Sequence, residues 1–360
     1  MGWFYFLTLY ILIVAIATKA IKNNDKKNKL TIVLGFGMLA LFAMFHAETV
    51  GNDTKNYVIA FDAARNSGIS NSYWVFEIGF IYLLRILSRI SSNPQILFIT
   101  VGAFSYFSFS RFVLKYSKIP WLSTYLFFTL GFFDFSLSVI RQLISIAILL
   151  FAFDFIIQEK PIKFIIMLLI AALFHNGAWA FLFAYIIAKF KTKKQYISVL
   201  SIITIIVYFI FNKFFDLLLI IFPKYNYYIG DTYTDGITRI ATILKTAVLL
   251  LMLIMDIFAS KSHKSYEEKR IDKIMFNYCA TSIAILILST NAVAIERSGL
   301  IYNMFFIVYY PNIIKGLKNP KDKIFIISIT VLLFYIYIWI IQIYRTPEWQ
   351  TTYPFRFYWQ

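Results

Sequence analysis

SVIRQLISIAILLFAFDFIIQEKPIKFIIMLLIAALFHNGAW, residues 138–179, decides how the rest of the chain is read. Its two most telling polar features are Ile140-Arg141-Gln142 at the start of a long apolar run and Phe174-His175-Asn176 between two short ones. An ionisable side chain at membrane depth is costly, so one that sits there marks a candidate functional site. Read as one helix, residues 162–190 would extend roughly 43 Å at ~1.5 Å per residue. That exceeds the ~30 Å hydrocarbon core of a bilayer. A hairpin of two short helices turning at His175-Asn176-Gly177 fits better. Its tip then lies in the outer half of the membrane, enclosed by protein or lining a wet cavity.

The same pattern runs outward over all 360 residues, of which 60% are hydrophobic and 20% aromatic. With a mean hydropathy of +0.71, the chain has more apolar surface than a soluble core of this size buries. Repeated apolar runs of about 15–23 residues point to one polytopic membrane domain over 1–360. Backbone groups in lipid must be satisfied internally. The period-2 alternation of a barrel is absent, so the expected fold is an all-α integral membrane protein.

Twelve spans are expected, at 3–20, 30–47, 94–113, 120–136, 138–158, 161–175, 177–190, 195–212, 240–259, 272–292, 298–316 and 324–344. The N-terminus lacks a basic leader before its apolar run, which reads as a retained first helix rather than a signal peptide. The net charge of +17 is not a nucleic-acid signature, because the lysines cluster in alternate short loops. With the N-terminus outside, most of the 35 basic residues fall in the cytoplasm, as the positive-inside bias demands. Both termini are then extracytoplasmic, in an inner or cytoplasmic membrane. Residues 73–90 carry Glu77, Arg85 and Arg89 and are expected as an amphipathic or re-entrant helix on the outer face. Outer loops span 48–93 and 213–239, and an extracytoplasmic tail runs over 345–360. The single cysteine, Cys279, rules out an intrachain disulfide.

The basic residues also divide by type. Among the arginines only Arg111 and Arg270 fall in the expected cytoplasmic set. Arg65, Arg85, Arg89, Arg141, Arg239, Arg297, Arg345 and Arg356 lie outside or near the outer face. Topology needs positive charge inside; it does not need arginine outside. The guanidinium fork grips phosphate bidentately, so an arginine-lined outer cavity suggests an anionic, phosphate-bearing lipid ligand. The competing reading is that these arginines snorkel to headgroups. For Arg141, beside Gln142 and one turn inside an apolar run, the functional reading is the stronger.

His175, at a break between short helices, is a candidate acid/base or hydrogen-bonding group. Asp53, Glu77 and Glu296 are the outer carboxylates able to serve an alcohol acceptor as base. Their bland roles are pairing with nearby positive charge for Glu296 and capping a helix near Thr54 for Asp53. No His/Cys/Asp/Glu cluster has metal-ligand spacing, and Asp-x-Asp, a Gly-x-Ser-x-Gly elbow and a phosphate-cradling loop are missing from the sequence. No metal and no cofactor are expected.

The chain resembles the EpsG-like branch of the Wzy polysaccharide polymerases over nearly its whole length. The resemblance rests on Gly51-Asn52-Asp53-Thr54 with Tyr57, Glu77-Ile78-Gly79-Phe80, Ile140-Arg141-Gln142, Phe174-His175, and Glu296-Arg297 with Tyr302. Two positions depart from it: Ser138 stands where Asn is expected, and Asn176-Gly177 where a small hydroxyl residue is commoner. The resemblance implies a GT-C-like membrane glycosyltransferase acting without a metal at the outer face. Its substrate would be oligosaccharide units on undecaprenyl pyrophosphate, and its product O-antigen, capsule or exopolysaccharide. A chain-length regulator and a flippase of the same pathway are the partners implied, with membrane lipids around it. On this reading Arg141, Gln142, Arg239, Arg297, Arg85 and Arg89 bind pyrophosphate, and Arg141, His175, Asp53 and Glu77 are the catalytic set. The rivals are an envelope ligase or other lipid-linked transferase, and a flippase sharing an arginine-lined cavity.

Overall fold

The structure, a computed structural model, describes residues 2–66, 76–221, 240–258, 265–345 and 352–360. Those residues form helices and contain no strand beyond one isolated bridge, His46 to Phe357. The first nine helices are α1 (Gly2–Thr18), α2 (Asn24–Met44), α3 (Thr54–Asn66), α4 (Ile78–Ile90), α5 (Gln95–Tyr116), α6 (Pro120–Thr129), α7 (Phe132–Ser138), α8 (Ile140–Ile157) and α9 (Pro161–Ala172). A 3-10 segment, Asn176–Phe183, leads into α10 (Ala184–Ala188). There follow α11 (Lys193–Phe209), α12 (Phe211–Ile221), α13 (Ile240–Ile254), α14 (Tyr266–Leu288), α15 (Glu296–Asn303), α16 (Phe306–Lys315) and α17 (Pro320–Arg345).

Six of these elements among the described residues are long and apolar enough to cross a membrane: α2, α5, α8, α13 with its 3-10 extension, α14 and α17. The bent pair α11 and α12, meeting at 89°, makes a seventh if counted as one span. Large apolar side chains stand exposed on the outer faces of these helices, for example Ile202, Ile206 and Phe209 on α11. Such surfaces belong in lipid, and the protein is an all-α, multi-pass membrane protein. Other apolar runs fold as shorter or interrupted helices. The run expected over 120–136 divides at Gly131, whose φ of +81° ends α6 and starts α7. The run over 298–316 divides between α15 and α16.

The chain packs as two compact units, one of Met1–Ala178 with Asn319–Gln360 and one of Trp179–Lys318. In the first, α8 packs against α5 and α9, α5 against α2, and α6 against α1, α2 and α17. α8 is its most enclosed candidate span, with 78% of its apolar window buried against 22% for α17. Polar groups on α8 therefore meet protein before they meet lipid. α8 ends in a left-handed turn at Glu159 (φ 57°), where Lys160 N–H reaches Phe155 O at 2.8 Å and Glu159 N–H reaches Ile156 O at 3.1 Å. That is a Schellman cap, and Pro161 then opens α9 with its φ already helical. The expected outer loop 48–93 holds α3 and α4. At 13 residues, α4 is roughly 20 Å long, too short to cross. It buries Phe80, Leu84 and Leu87 and exposes Ile78, Tyr82, Ile86 and Ile90, an amphipathic helix with the i, i+4 repeat on its open face. Residues 352–360 fold back on α1 and α2. Ala47 N–H donates to Arg356 O at 2.9 Å and Tyr358 N–H to Phe45 O at 3.0 Å, with Phe355 and Phe357 against Phe42.

In the second unit α14 packs against α10, α11, α13, α15 and α16. A capping box at Ser265 and Glu268 starts α14. Buried Asn277 and Tyr278 donate to the carbonyls of Ile187 and Ala184 at 3.2 and 2.9 Å, tying α10 to its flank.

Candidate active site

The site begins with a backbone constraint. Gly51 has φ +96°, and a Cβ there would sit 2.4 Å from the carbonyl oxygen of Leu137. Only glycine takes this conformation without strain, and the close approach seats residues 50–54 on the end of α7. Thr54, fully buried, donates its hydroxyl to Val50 O at 2.6 Å and faces Leu137 O at 3.2 Å. Asn52 N–H donates to Ser138 Oγ at 2.9 Å. Ser138, the residue that departs from the expected pattern, is thus the acceptor that holds this loop. α3 then starts at Thr54, and Asp53 O accepts Tyr57 N–H at 3.2 Å. Asp53 occupies the position that precedes the helix, as a capping residue does.

Three other motifs meet next to this loop. Arg141 Nη1 lies 2.6 Å from Glu77 Oε2, with the Glu77 side chain only 5% exposed. Glu77 Oε1 accepts the backbone N–H of Asn176 at 3.1 Å. One carboxylate therefore links the first turn of α8 to the turn after α9. Glu77 stands at the N-cap of α4 yet makes no side-chain cap bond, because its oxygens point to Arg141 and Asn176 instead. Gly79 makes this possible. Its N–H donates to Leu173 O at 2.8 Å, and a Cβ at Gly79 would stand 2.7 Å from that same oxygen. The guanidinium of Arg141 also stacks over Phe76, 4.7 Å from the ring centre, and Phe76 packs on Tyr57 and Phe80. Such a contact adds about 0.5–2 kcal/mol.

His175 follows α9 by a turn, its N–H bonded to Ala171 O at 3.1 Å. Its Nδ1 accepts the backbone N–H of Gly177 at 2.9 Å. A Cβ on Gly177 would lie 2.7 Å from that nitrogen and 3.6 Å from Gln142 Nε2, so Gln142, 4% exposed, borders the same spot. Sequence reasoning placed Asp53, Glu77, Arg141, Gln142 and His175 in the site. All five lie in the first unit, and Glu77, Arg141 and the His175 turn are directly bonded into one cluster.

Two of the remaining expected residues lie farther along α4. Arg85 is half-buried over Tyr82, its Cζ 5.9 Å from the ring centre, and Arg89 is exposed in the last turn of α4. They stand roughly 12 and 18 Å along the axis from Glu77. Arg239 lies outside the described residues. Glu296 and Arg297 open α15 in the second unit. Glu296 Oε1 accepts Lys245 Nζ at 2.6 Å, so the partner of Glu296 includes a cation from α13. Arg297 is half-buried. Tyr302 donates to Ala180 O at 2.9 Å and packs on Phe181 and Tyr278.

Two charged clusters escaped the sequence reading. Asp154, on α8, accepts from Arg111 and Tyr116 and from Lys115 Nζ at 2.8 Å. In the second unit Lys193, Asp256 and Tyr309 close a triangle with sides of 2.6, 2.7 and 2.8 Å. The available signal for Asp154 was a lone carboxylate in an apolar run, which demands a cationic partner; Arg111 and Lys115, four apart on α5, were the nearest pair able to share it. Among the described residues no three His, Cys, Asp or Glu side chains come together as metal ligands.

Compared with known proteins, residues 29–357 match the model of the EpsG family. That range takes in every motif on which the likeness was read. No curated protein and no solved structure matches the chain.

Proposed function

The chain belongs to the EpsG family, a family of Wzy-like polysaccharide polymerases, and on that premise we propose that it joins oligosaccharide repeat units carried on undecaprenyl pyrophosphate. The transfer takes place at the extracytoplasmic face of a bacterial cytoplasmic membrane, without a metal. On this reading the shorter and interrupted apolar helices complete twelve crossings in a GT-C-like arrangement, with both termini outside. The acceptor hydroxyl attacks the anomeric carbon of the donor sugar. The bond from that carbon to the pyrophosphate oxygen breaks, undecaprenyl pyrophosphate leaves, and the hydroxyl proton passes to a base.

The observation that carries this reading is the ion pair of Arg141 with Glu77 at 2.6 Å, built where four separate motifs meet. A leaving pyrophosphate needs fixed positive charge where negative charge develops. Arg141 supplies it permanently, and the carboxylate of Glu77 holds the fork much as a phosphate oxygen would. Gln142 borders the same place. Arg85 and Arg89 serve the approach of the anionic lipid. Glu77, Asp53 or His175 takes the acceptor proton.

Arg141→Lys tests the reading, since it keeps the charge and removes the fork. In proteoliposomes fed lipid-linked repeat units, polymer length should collapse to single units while membrane abundance holds. Normal polymer from that variant would remove Arg141 from the site. Loss of attachment to a final acceptor, with polymer length unchanged, would identify a ligase instead.

A further inference from the structure

We propose that Gly177 fixes the tautomer of His175, making the imidazole a neutral hydrogen-bond donor to the pyrophosphate and not the base that takes the acceptor proton. This deepens the polymerase reading and rests on it.

A backbone N–H can only donate. Gly177 N–H donates to His175 Nδ1 at 2.9 Å, so Nδ1 presents its lone pair and the ring proton sits on Nε2. Which ring nitrogen carries the proton is set by the bond the other one makes. An imidazolium would carry hydrogen on both nitrogens and set Nδ1–H against the Gly177 N–H, two donors facing each other. The turn therefore favours the neutral ring. A neutral histidine held this way offers its Nε2–H to an anionic oxygen as a hydrogen bond, a recognised catalytic role. It has no lone pair left at Nε2 with which to accept the proton of a sugar hydroxyl.

The position of Gly177 explains why this device needs glycine. A Cβ there would stand 2.7 Å from Nδ1 and 2.9 Å from Cε1, closer than van der Waals contact, so any other residue would push the ring away from the N–H. The residue between them is held too, since Asn176 N–H donates to Glu77 Oε1 at 3.1 Å. Two successive backbone donors are thus assigned, one to the carboxylate that grips Arg141 and one to the imidazole. The charged groups of this cluster are Glu77 and Arg141, paired with each other at 2.6 Å. With His175 a donor, the base is a carboxylate, Glu77 or Asp53.

The chain has three histidines, which makes the test direct. Protein labelled with 15N-histidine and reconstituted in lipid is examined by solid-state NMR at pH 7.5, and the His175 signals are identified by their absence in His175→Gln. A ring protonated at Nε2 alone is expected; a ring protonated at Nδ1, or doubly protonated, overturns the proposal. The second arm compares polymerisation rates. The glutamine amide nitrogen reproduces Nε2 and the asparagine nitrogen reproduces Nδ1, so His175→Gln should keep at least tenfold more activity than His175→Asn or His175→Ala. Its acid limb in the pH profile should match that of the unsubstituted protein. Equal loss in all three variants, with an acid limb near pH 6.5 that vanishes on substitution, would make His175 the base and overturn the proposal. If the unsubstituted protein makes no polymer while the NMR shows the Nε2 form, the polymerase reading falls and the tautomer assignment stands.

Discussion

The two ends of α8 carry charged clusters about 20 Å apart, since Arg141 and Asp154 are 13 positions from each other in the sequence at ~1.5 Å per residue. At one end two cations and a phenol converge on one carboxylate, Asp154. At the other, one arginine meets one carboxylate and the phenol of Tyr57, and the geometry depends on close approaches at glycines: Gly51 on Leu137, Gly79 on Leu173, Gly177 on His175. The Asp154 cluster joins α5 to α8 through side chains alone, which is what a structural tie requires. The Arg141 cluster recruits four chain segments to aim one guanidinium. Effort of that kind places a reactive group, whereas a tie needs only opposite charge within reach.

If this contrast holds, substitutions at the two ends separate activity from stability. Arg141→Lys should lower the polymerisation rate by about 10²–10³-fold, the usual effect of losing a positioned transition-state donor. Its thermal midpoint in detergent should move by only a few degrees. Asp154→Asn should do the reverse, costing about 2 kcal/mol in unfolding while activity per folded molecule stays within about twofold. The figure is below the 3–5 kcal/mol of a fully buried pair, because Arg111 and Lys115 side chains are 33% and 45% exposed and remain partly solvated. Activity lost in Asp154→Asn, or stability lost in Arg141→Lys, would erase the distinction.

Gly79→Ala probes the backbone side of the same contrast. The new methyl group would meet the Leu173 carbonyl at 2.7 Å, and backbone cannot rotate out of its way. α4 must shift, at a cost of about 1–3 kcal/mol, and Glu77 shifts with it. Both unfolding and polymerisation assays should register the change. Ser138→Ala has the smallest effect, about 0.5–1 kcal/mol for one lost hydrogen bond, with polymer length nearly unchanged. A large activity loss there would move the loop at Asn52 from support into the reaction.

The membrane class and the residues that gather around Arg141 were legible because each leaves a mark in the linear pattern. Apolar runs set the helices, and Arg141 and His175 stand out as polar residues in an apolar stretch. Glu77 was visible for the same reason. Packing partners leave no such mark. Asp154 sits inside the run expected as the span 138–158, but its partners are 38–43 positions earlier in the sequence, and hydropathy does not give the register of α5 on α8. Gly131 shows how a single residue divides a run: nothing in the apolar count of 120–136 marks where φ turns positive. Ser138 and Gly177 looked like departures from a family pattern. Both turn out to hold backbone contacts, Ser138 as the acceptor for Asn52 and Gly177 as the donor to His175.

The central claim is that Arg141 is the diphosphate-binding group of the chain. Native mass spectrometry of the purified protein titrated with undecaprenyl pyrophosphate tests it with no turnover required. The unsubstituted protein and Asp154→Asn should bind the lipid alike, inorganic pyrophosphate should compete, and Arg141→Lys should bind at least tenfold more weakly. Equal binding by Arg141→Lys and the unsubstituted protein would contradict the account.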